Sequence, residues 1–326
     1  MRNLSTVATA LAALLSCATV AVAPPAFADG KKVVVSQAFQ SMLYLPFYVA
    51  IDEGFFAKQG IDLVKETAGA PTVALSAVIS GSAQFSIHGP EWAAIAASKG
   101  APVYAVANVV NGAAVWIATA PDFKFDSVKD LKGQKVVTGT MPTTSTSLFI
   151  KLLKENGMDA KSDVEMIQVP IGTEPGPFMA QQAKVAVMYE PGLDQVVAKG
   201  MKVVLGFPKL YGPYAFSVVA ARTDVDPDTA QHVVNAMEMA MRFMQANPGP
   251  TVEIAKKEFP NLDPTVVESA VKRMLADNVY PNSVDITPDA LTISMNTQIV
   301  LGNLAAQPDY KTFVGKKFID AALAMK

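Results

Sequence analysis

Two short stretches carry most of the side chains with chemical potential. In GTMPTTSTSLF (residues 139–149), four hydroxyl residues, Thr143, Thr144, Ser145 and Thr146, stand at the head of an apolar-periodic helix, and Ser147 follows. The first turn of a helix has unpaired N–H groups and a partial positive charge. With hydroxyl donors added, it suits a sulfonate, carboxylate or phosphate. Ser and Thr are also favoured helix caps, but one cap uses one hydroxyl residue, not a run of them. In HGPEWAA (residues 88–94), His88, Gly89 and Glu91 sit at a strand-to-helix turn. That position is the carboxyl edge of a sheet, where ligands are held. Glu91 also fits as a first-turn acid and Trp92 as core. The other histidine, His232, falls on a tail helix as a solvated residue.

Several chemistries are missing. No Gly-x-Ser-x-Gly elbow occurs, and neither histidine has an obvious serine and acid partner. No His/Asp/Glu cluster has metal-ligand spacing, and no cofactor is expected. The formal net charge of −2 gives no basic face for nucleic acid. A chain of 326 residues, 51% apolar and 17% charged, has material for about two domains with large cores.

The N-terminus reads as a leader. Arg2, the apolar run 4–22, the Pro24-Pro25 break and Ala26-Phe27-Ala28 before Asp29 form the pattern of a secretory signal cleaved after Ala28. A membrane anchor needs about 20 unbroken apolar residues and usually a charged stop. No later stretch is long and apolar enough to span a bilayer, so the mature protein is expected to be soluble and exported. Leu14-Leu15-Ser16-Cys17 is a degraded lipoprotein box that would place a lipid on Cys17. The apolar run continues past it, and the site at Ala28 is better. Cleavage there removes the single cysteine, and with it any disulfide or thiolate chemistry.

The elements that must position these residues alternate. Strands are expected at 31–35, 61–65, 83–87 and 103–109, with helices at 45–59, 72–80 and 90–99 between them. A second α/β series follows: strands at 115–118, 135–138, 165–169, 185–188 and 201–205, with helices at 145–156, 177–183 and 193–199. A strand at 215–221 precedes a helical tail at 227–246, 250–258, 263–277, 288–304 and 313–325. Such alternation predicts mostly parallel sheets flanked by helices. The economical arrangement is two lobes, 29–115 with 213–326 and 116–212, the tail covering the first. Ligands in such sheets sit at the strands' carboxyl ends, so two facing lobes put both sets of loops into one cleft.

Three segments carry a resemblance. LPFYVAIDEGFFAKQGIDL (45–63), ALSAVISGSAQFSIHGPE (74–91) and VKDLKGQKVVTGTMPTTSTSLFIKLLKENGM (128–158) are similar, in order and spacing, to a family of periplasmic solute-binding proteins. That family serves ABC importers for nitrate, taurine, alkanesulfonates and thiamine-pyrimidine precursors. The resemblance covers nearly all of the mature chain. It implies the two-lobed type II periplasmic binding protein fold, no catalysis, a small-molecule ligand, a cognate inner-membrane permease and a monomer. It implies that Gln40, Tyr44, Pro46 and Phe47, at the turn into the first helix, line the cleft. Tyr189 and Glu190 match the family's cleft-facing strand end in the second lobe. A carboxylate there accepts hydrogen bonds from an ammonium or amidine group, the alternative being a surface pair with a lysine. Tyr214 stands at the mouth of the return crossover, with hinges expected near 113–116 and 211–215.

An anionic end at the hydroxyl run and a donor-bearing end at Glu190 fit a sulfonate- or taurine-like solute. A planar ring among Tyr44, Trp92 and Tyr189 fits a pyrimidine or aromatic acid equally. An exported enzyme is the competing reading. The fungal thiamine-pyrimidine synthases that share the resemblance carry a cysteine-rich segment that this chain lacks.

Overall fold

The structure, a computed structural model, describes residues 30–141 and 143–325. The leader and the Cys17 box lie outside the described residues. Among those described, no helix is long and apolar enough to cross a membrane.

The first series runs β1 (Lys31–Gln37), α1 (Leu45–Asp52), α2 (Phe55–Lys58), β2 (Ile61–Thr67), α3 (Pro71–Ser80), β3 (Phe85–His88), α4 (Pro90–Ser98) and β4 (Val103–Gly112). The chain crosses at Ala113, Ala114 and Val115 into β5 (Trp116–Thr119). It continues through β6 (Lys135–Gly139), α5 (Thr144–Glu155), β7 (Glu165–Val169), α6 (Pro175–Met179), β8 (Val185–Met188), α7 (Gly192–Val197), β9 (Lys202–Gly206) and α8 (Phe207–Tyr211). It returns as β10 (Pro213–Arg222). The tail is α9 (Pro227–Ala246), α10 (Pro248–Glu258), α11 (Pro264–Ala276), α12 (Pro288–Val300), α13 (Tyr310–Phe313) and α14 (Lys316–Leu323).

Two five-stranded sheets result, ordered β2-β1-β3-β10-β4 and β7-β6-β8-β5-β9. Each is mixed. β1 pairs in parallel with β2 and β3, while β10 runs antiparallel to β3 and β4. β6 pairs in parallel with β7 and β8, while β5 runs antiparallel to β8 and β9. The reversed strand in each sheet is the one entered by a crossover. A chain that leaves one sheet at its carboxyl edge, without a helix long enough to carry it back along the sheet, enters the next sheet from that same edge and must run the other way. The carboxyl edges of the two sheets therefore face each other across the crossovers.

The tail packs mainly on the first sheet's lobe: α9 against α1, α2 and α14, α12 against β10, and α13 and α14 against β4. Two tail helices reach the second lobe as well, α11 against α7 and α12 against α5. The helix expected over 45–59 is two helices, because Gly54 takes a left-handed backbone (φ +67°) that ends the first and starts the second. The last expected helix, 313–325, is α14 and spans only Lys316–Leu323, the short α13 lying before it, and the one over 288–304 ends at Val300. The short α8 was not expected from the sequence.

Candidate ligand cleft

The loops that leave β1, β3, β6 and β8 converge. Pro90 starts α4 at a position where a missing N–H costs nothing, and this fixes Glu91 in the first turn. Gly89 then has a steric role: a Cβ there would stand 2.2 and 2.4 Å from the two carboxyl oxygens of Glu91. The Glu91 side chain folds back over Gly89 and is buried. Across the cleft, Thr144 Oγ1 donates to Glu91 Oε1 at 2.7 Å. This hydrogen bond joins the head of α4 in the first lobe to the head of α5 in the second. The anion at the start of α5 is thus the protein's own carboxylate.

The other hydroxyls of the run are individually engaged. Thr143, at the N-cap position, makes no side-chain cap. Its Oγ1 lies 3.3 Å from Ser145 Oγ. The Ser145 N–H donates to the Tyr189 hydroxyl at 2.8 Å, and Thr146 Oγ1 donates to the Gly139 carbonyl at 2.5 Å. Capping alone does not account for the run.

Between the lobes lies a narrow cavity of about 20 Å³. Of the expected residues, Tyr44, Gly89, Glu91, Thr143, Thr144 and Tyr189 line it, as does Trp92. Sequence reasoning missed the rest: Phe39, Leu43, Pro71, Ile171, Phe216 and Ser217. Phe216 packs edge-on to Tyr189 with ring centroids 5.9 Å apart, and Phe39 lies 5.5 Å from Tyr44. Their only sequence signal was adjacency to expected residues; Pro71 and Ile171 had none. A wider groove opens between the end of α4 and residues 304–313, but its polar side chains, Ser98, Gln307, Asp309 and Thr312, are all exposed.

The remaining expected residues lie elsewhere. Gln40 is exposed and donates to the Glu258 carbonyl at 2.9 Å. Phe47 is core, edge-on to Phe56 at 5.8 Å, because it falls on the inner face of α1 rather than on its entrance. Pro46 is also buried and does not line the cavity. Ser145 and Thr146 are buried behind the cavity wall, and Tyr214 sits beneath Phe216 with its hydroxyl 3.5 Å from the Ser294 carbonyl. His88 is fully buried. Its Nε2 is 2.9 Å from Ser86 Oγ and its Nδ1 2.9 Å from the Gly89 carbonyl. His88 thus has a serine neighbour, but no acid joins the pair. The pair is nonetheless sealed: neither residue lines the cavity, and the ring's second partner is a carbonyl, not an acid.

Glu190 requires the largest correction. Its carboxylate is buried and already paired, not with a lysine but with an arginine. Arg273 of α11 donates to Glu190 Oε1 at 2.9 Å and to Asp194 Oδ1 at 2.5 Å. Glu190 Oε2 accepts the Asp194 N–H at 3.0 Å. Nearby, Trp116 Nε1 donates to Asp277 Oδ2 at 3.0 Å, and Lys209 pairs with the same carboxylate at 3.4 Å. Arg273 and Asp277 together clasp the tail to the second lobe.

The electrostatics of the cleft are acidic. Burial pushes the Glu91 carboxyl up to about 7, partly offset by the Thr144 hydroxyl. Glu174, at the head of α6, is 1% exposed and is likewise raised by burial to about 7. Both carboxyls, in turn, hold the Tyr189 hydroxyl above its ordinary range, after burial itself. Among the described residues, no lysine, arginine or histidine lines the cavity.

Comparison with known proteins agrees with this architecture. YtlA of Bacillus subtilis is 22% identical over 312 residues, spanning 90% of this chain and 91% of its own. The periplasmic aliphatic sulphonate-binding protein SsuA of Escherichia coli superposes with a TM-score of 0.71 at 16% identity, covering 88% and 92% of the two chains. The periplasmic nitrate-binding protein NrtA of Synechocystis gives 0.69 at 16% identity, over 90% and 88%. The desulfurization enzyme DszB gives 0.68 at 12% identity, over 90% and 99%, so the fold is not confined to binding proteins. The fold is thus the two-lobed one of type II periplasmic binding proteins. The NMT1/THI5-like family matches residues 42–250, more than half of the sequence, and the chain belongs to that family.

Proposed function

We propose that this protein is the solute-binding component of an ABC importer. It captures a small organic solute between its lobes and delivers it to a membrane permease. The observation that carries the reading is the Glu91–Thr144 hydrogen bond. It closes two opposed sets of strand-end loops over a small aromatic and polar cavity. The lobes are residues 29–115 with 213–326 and residues 116–212, hinged near 113–116 and 211–215. Ligand contacts made only in the closed form shift the open and closed populations. The leader ending at Ala28 supports export to the periplasm, where the protein acts as a monomer. The relatives support the same reading: YtlA is named as a candidate binding protein, and SsuA and NrtA as binders of sulphonate and nitrate.

The charge of this cavity favours a nitrogen-containing solute over a sulfonate. A buried carboxylate with no cation in the lining repels an anion across a low-dielectric gap and attracts N–H donors. An enzymatic reading gains nothing from Ser86 and His88, which the cavity does not reach.

The test is direct. The mature protein is unfolded, and the released small molecules are identified by mass spectrometry. The refolded protein is then followed by small-angle X-ray scattering as the recovered solute is added back. A single solute that compacts the protein without being consumed supports the reading. A solute that is chemically altered, or scattering that never changes, rules it out.

A further inference from the structure

Closing the cleft strands a charge. Glu91 Oε1 accepts the Thr144 hydroxyl of the other lobe at 2.7 Å, and Glu91 is then 2% exposed. The gap beside it, about 20 Å³, admits about one water molecule and no hydrated counter-ion. No charge on the surrounding elements answers the carboxylate. α4 carries no other charged residue, and α3 and β4 carry none. His88, at the end of β3, is held neutral by burial down to about 4. The Tyr44, Tyr189 and Tyr214 hydroxyls feel the carboxylate, and burial holds all three above their ordinary range, so they stay neutral. The charges of α5, Lys151, Lys154 and Glu155, lie in its second half, away from Thr144. Arg222, at the far end of β10, is paired with Asp224, and Asp289 is exposed at the start of α12. Glu174 and Glu190 do not line the cavity.

We infer that closure of the solute-free cleft takes up a proton at Glu91, which makes the Glu91–Thr144 contact a pH-sensitive latch between the lobes. The inference rests on the hinged, two-lobed reading and adds a control to it. In an open cleft the carboxylate is hydrated and titrates as an ordinary one. The closed cleft withdraws it from water and offers one hydroxyl in return, which disfavours the charged form. A neutral carboxyl keeps the contact, because it can accept from the Thr144 hydroxyl or donate to it. Protonation therefore favours the closed form and ionisation the open one. Burial raises the carboxyl from 4.5 to about 7 in the closed form. Between those values the closed-to-open ratio should fall about tenfold for each unit of rising pH, and outside them it should be flat.

The experiment is single-molecule energy transfer on the mature protein from Asp29 onward, stripped of carried-over solute. That chain has no cysteine, so Ser76→Cys on α3 and Gln182→Cys before β8, both exposed positions, place one dye on each lobe. Open and closed populations are counted from pH 5 to 7.5, a window in which His88 stays neutral. The closed-to-open ratio is expected to fall by about tenfold or more across it. Glu91→Gln, isosteric with the protonated acid, should stay closed and show no drift. Glu174→Gln should keep the wild-type drift, because that carboxyl titrates in the same window but is anchored within the second lobe, to the Gly172 N–H. A drift that survives in Glu91→Gln, or that vanishes in Glu174→Gln, overturns the inference. A wild-type ratio indifferent to pH, in a protein that the solute recovered from it still closes, overturns the inference and leaves the solute-binding reading intact. Transfer that neither pH nor the recovered solute moves removes both.

Discussion

Replacing Arg273 by methionine tests whether the clasp between tail and second lobe is what the structure makes it. The guanidinium answers two carboxylates, Glu190 and Asp194, whose side chains are 0% and 2% exposed, while its own is 26% exposed. Methionine keeps most of the stem's packing and removes only the charge and donors. Both carboxylates are then left in the interior without a counter-charge, which costs about 3–5 kcal/mol. The cost depends on pH. Burial and Asp194 already hold the Glu190 carboxyl above the usual carboxylate range, and Arg273 is among the groups pulling it down. Without Arg273 it rises further. A carboxyl whose folded-state value is raised contributes stability that is full below its unfolded value and is lost as pH rises through the folded one. The loss should therefore approach the full range at about pH 8 and shrink at about pH 5, where Glu190 folds protonated. Urea denaturation of wild type and variant at both pH values reads this from the midpoints at constant slope. Adding Glu190→Gln and Asp194→Asn should restore most of the stability at the higher pH. Equal losses at the two pH values, or no rescue, would refute the reasoning.

Four further outcomes follow from the same geometry. Thr144→Val removes the bond across the cleft, about 1.5–3 kcal/mol for a hydrogen bond to a charged group. The solute-free protein should shift towards the open form, seen as a larger radius of gyration; an unchanged radius would mean that the bond does not hold the lobes. Glu91 and Glu174, raised from 4.5 to about 7, disfavour folding at neutral pH by at most about 3 kcal/mol each. Stability should rise as pH falls from about 7 towards 4.5, and Glu91→Gln with Glu174→Gln should flatten that rise. His88, held down to about 4 by burial, acts oppositely: its share is full above 6.5 and is lost as pH falls towards 4. The double variant should therefore keep only the gain from Glu190 and the His88 decline on acidification, and a variant that gains as much stability as wild type between pH 7 and 4.5 would contradict the assignment. Gly89→Ala should change the melting temperature little, because the atoms it meets are the movable end of Glu91. It should abolish solute binding by expelling that carboxylate. Phe47→Ala should cost about 3–5 kcal/mol in thermal or urea unfolding as a core cavity. It should leave solute affinity intact, and a selective affinity loss would return Phe47 to the cleft.

The alternation of strands and helices determined the two-lobed α/β fold, because the period of apolar residues is a local property and a parallel strand needs a helix to carry the chain back. The same logic placed Glu91, Thr143 and Thr144 at helix starts on the carboxyl edges, and the family resemblance placed Tyr189 at a cleft-facing strand end; all four line the cavity. Helix breaks such as Gly54 were within reach of the sequence, since a glycine in a helical pattern is a candidate stop, but its left-handed backbone appears only in three dimensions. The partners that join the lobes were not local. Glu91 faces Thr144 from 53 residues away, and Arg273 reaches Glu190 from 83 residues away. No pattern within either segment encodes those partners. Burial decided the rest. It placed Phe47 and His88 in the core and occupied Glu190 with an arginine. Charge in a cleft is set by which side chains the tertiary fold brings together and seals from water. The hydroxyl run that suggested an anion site therefore lies, in the folded protein, against carboxylates.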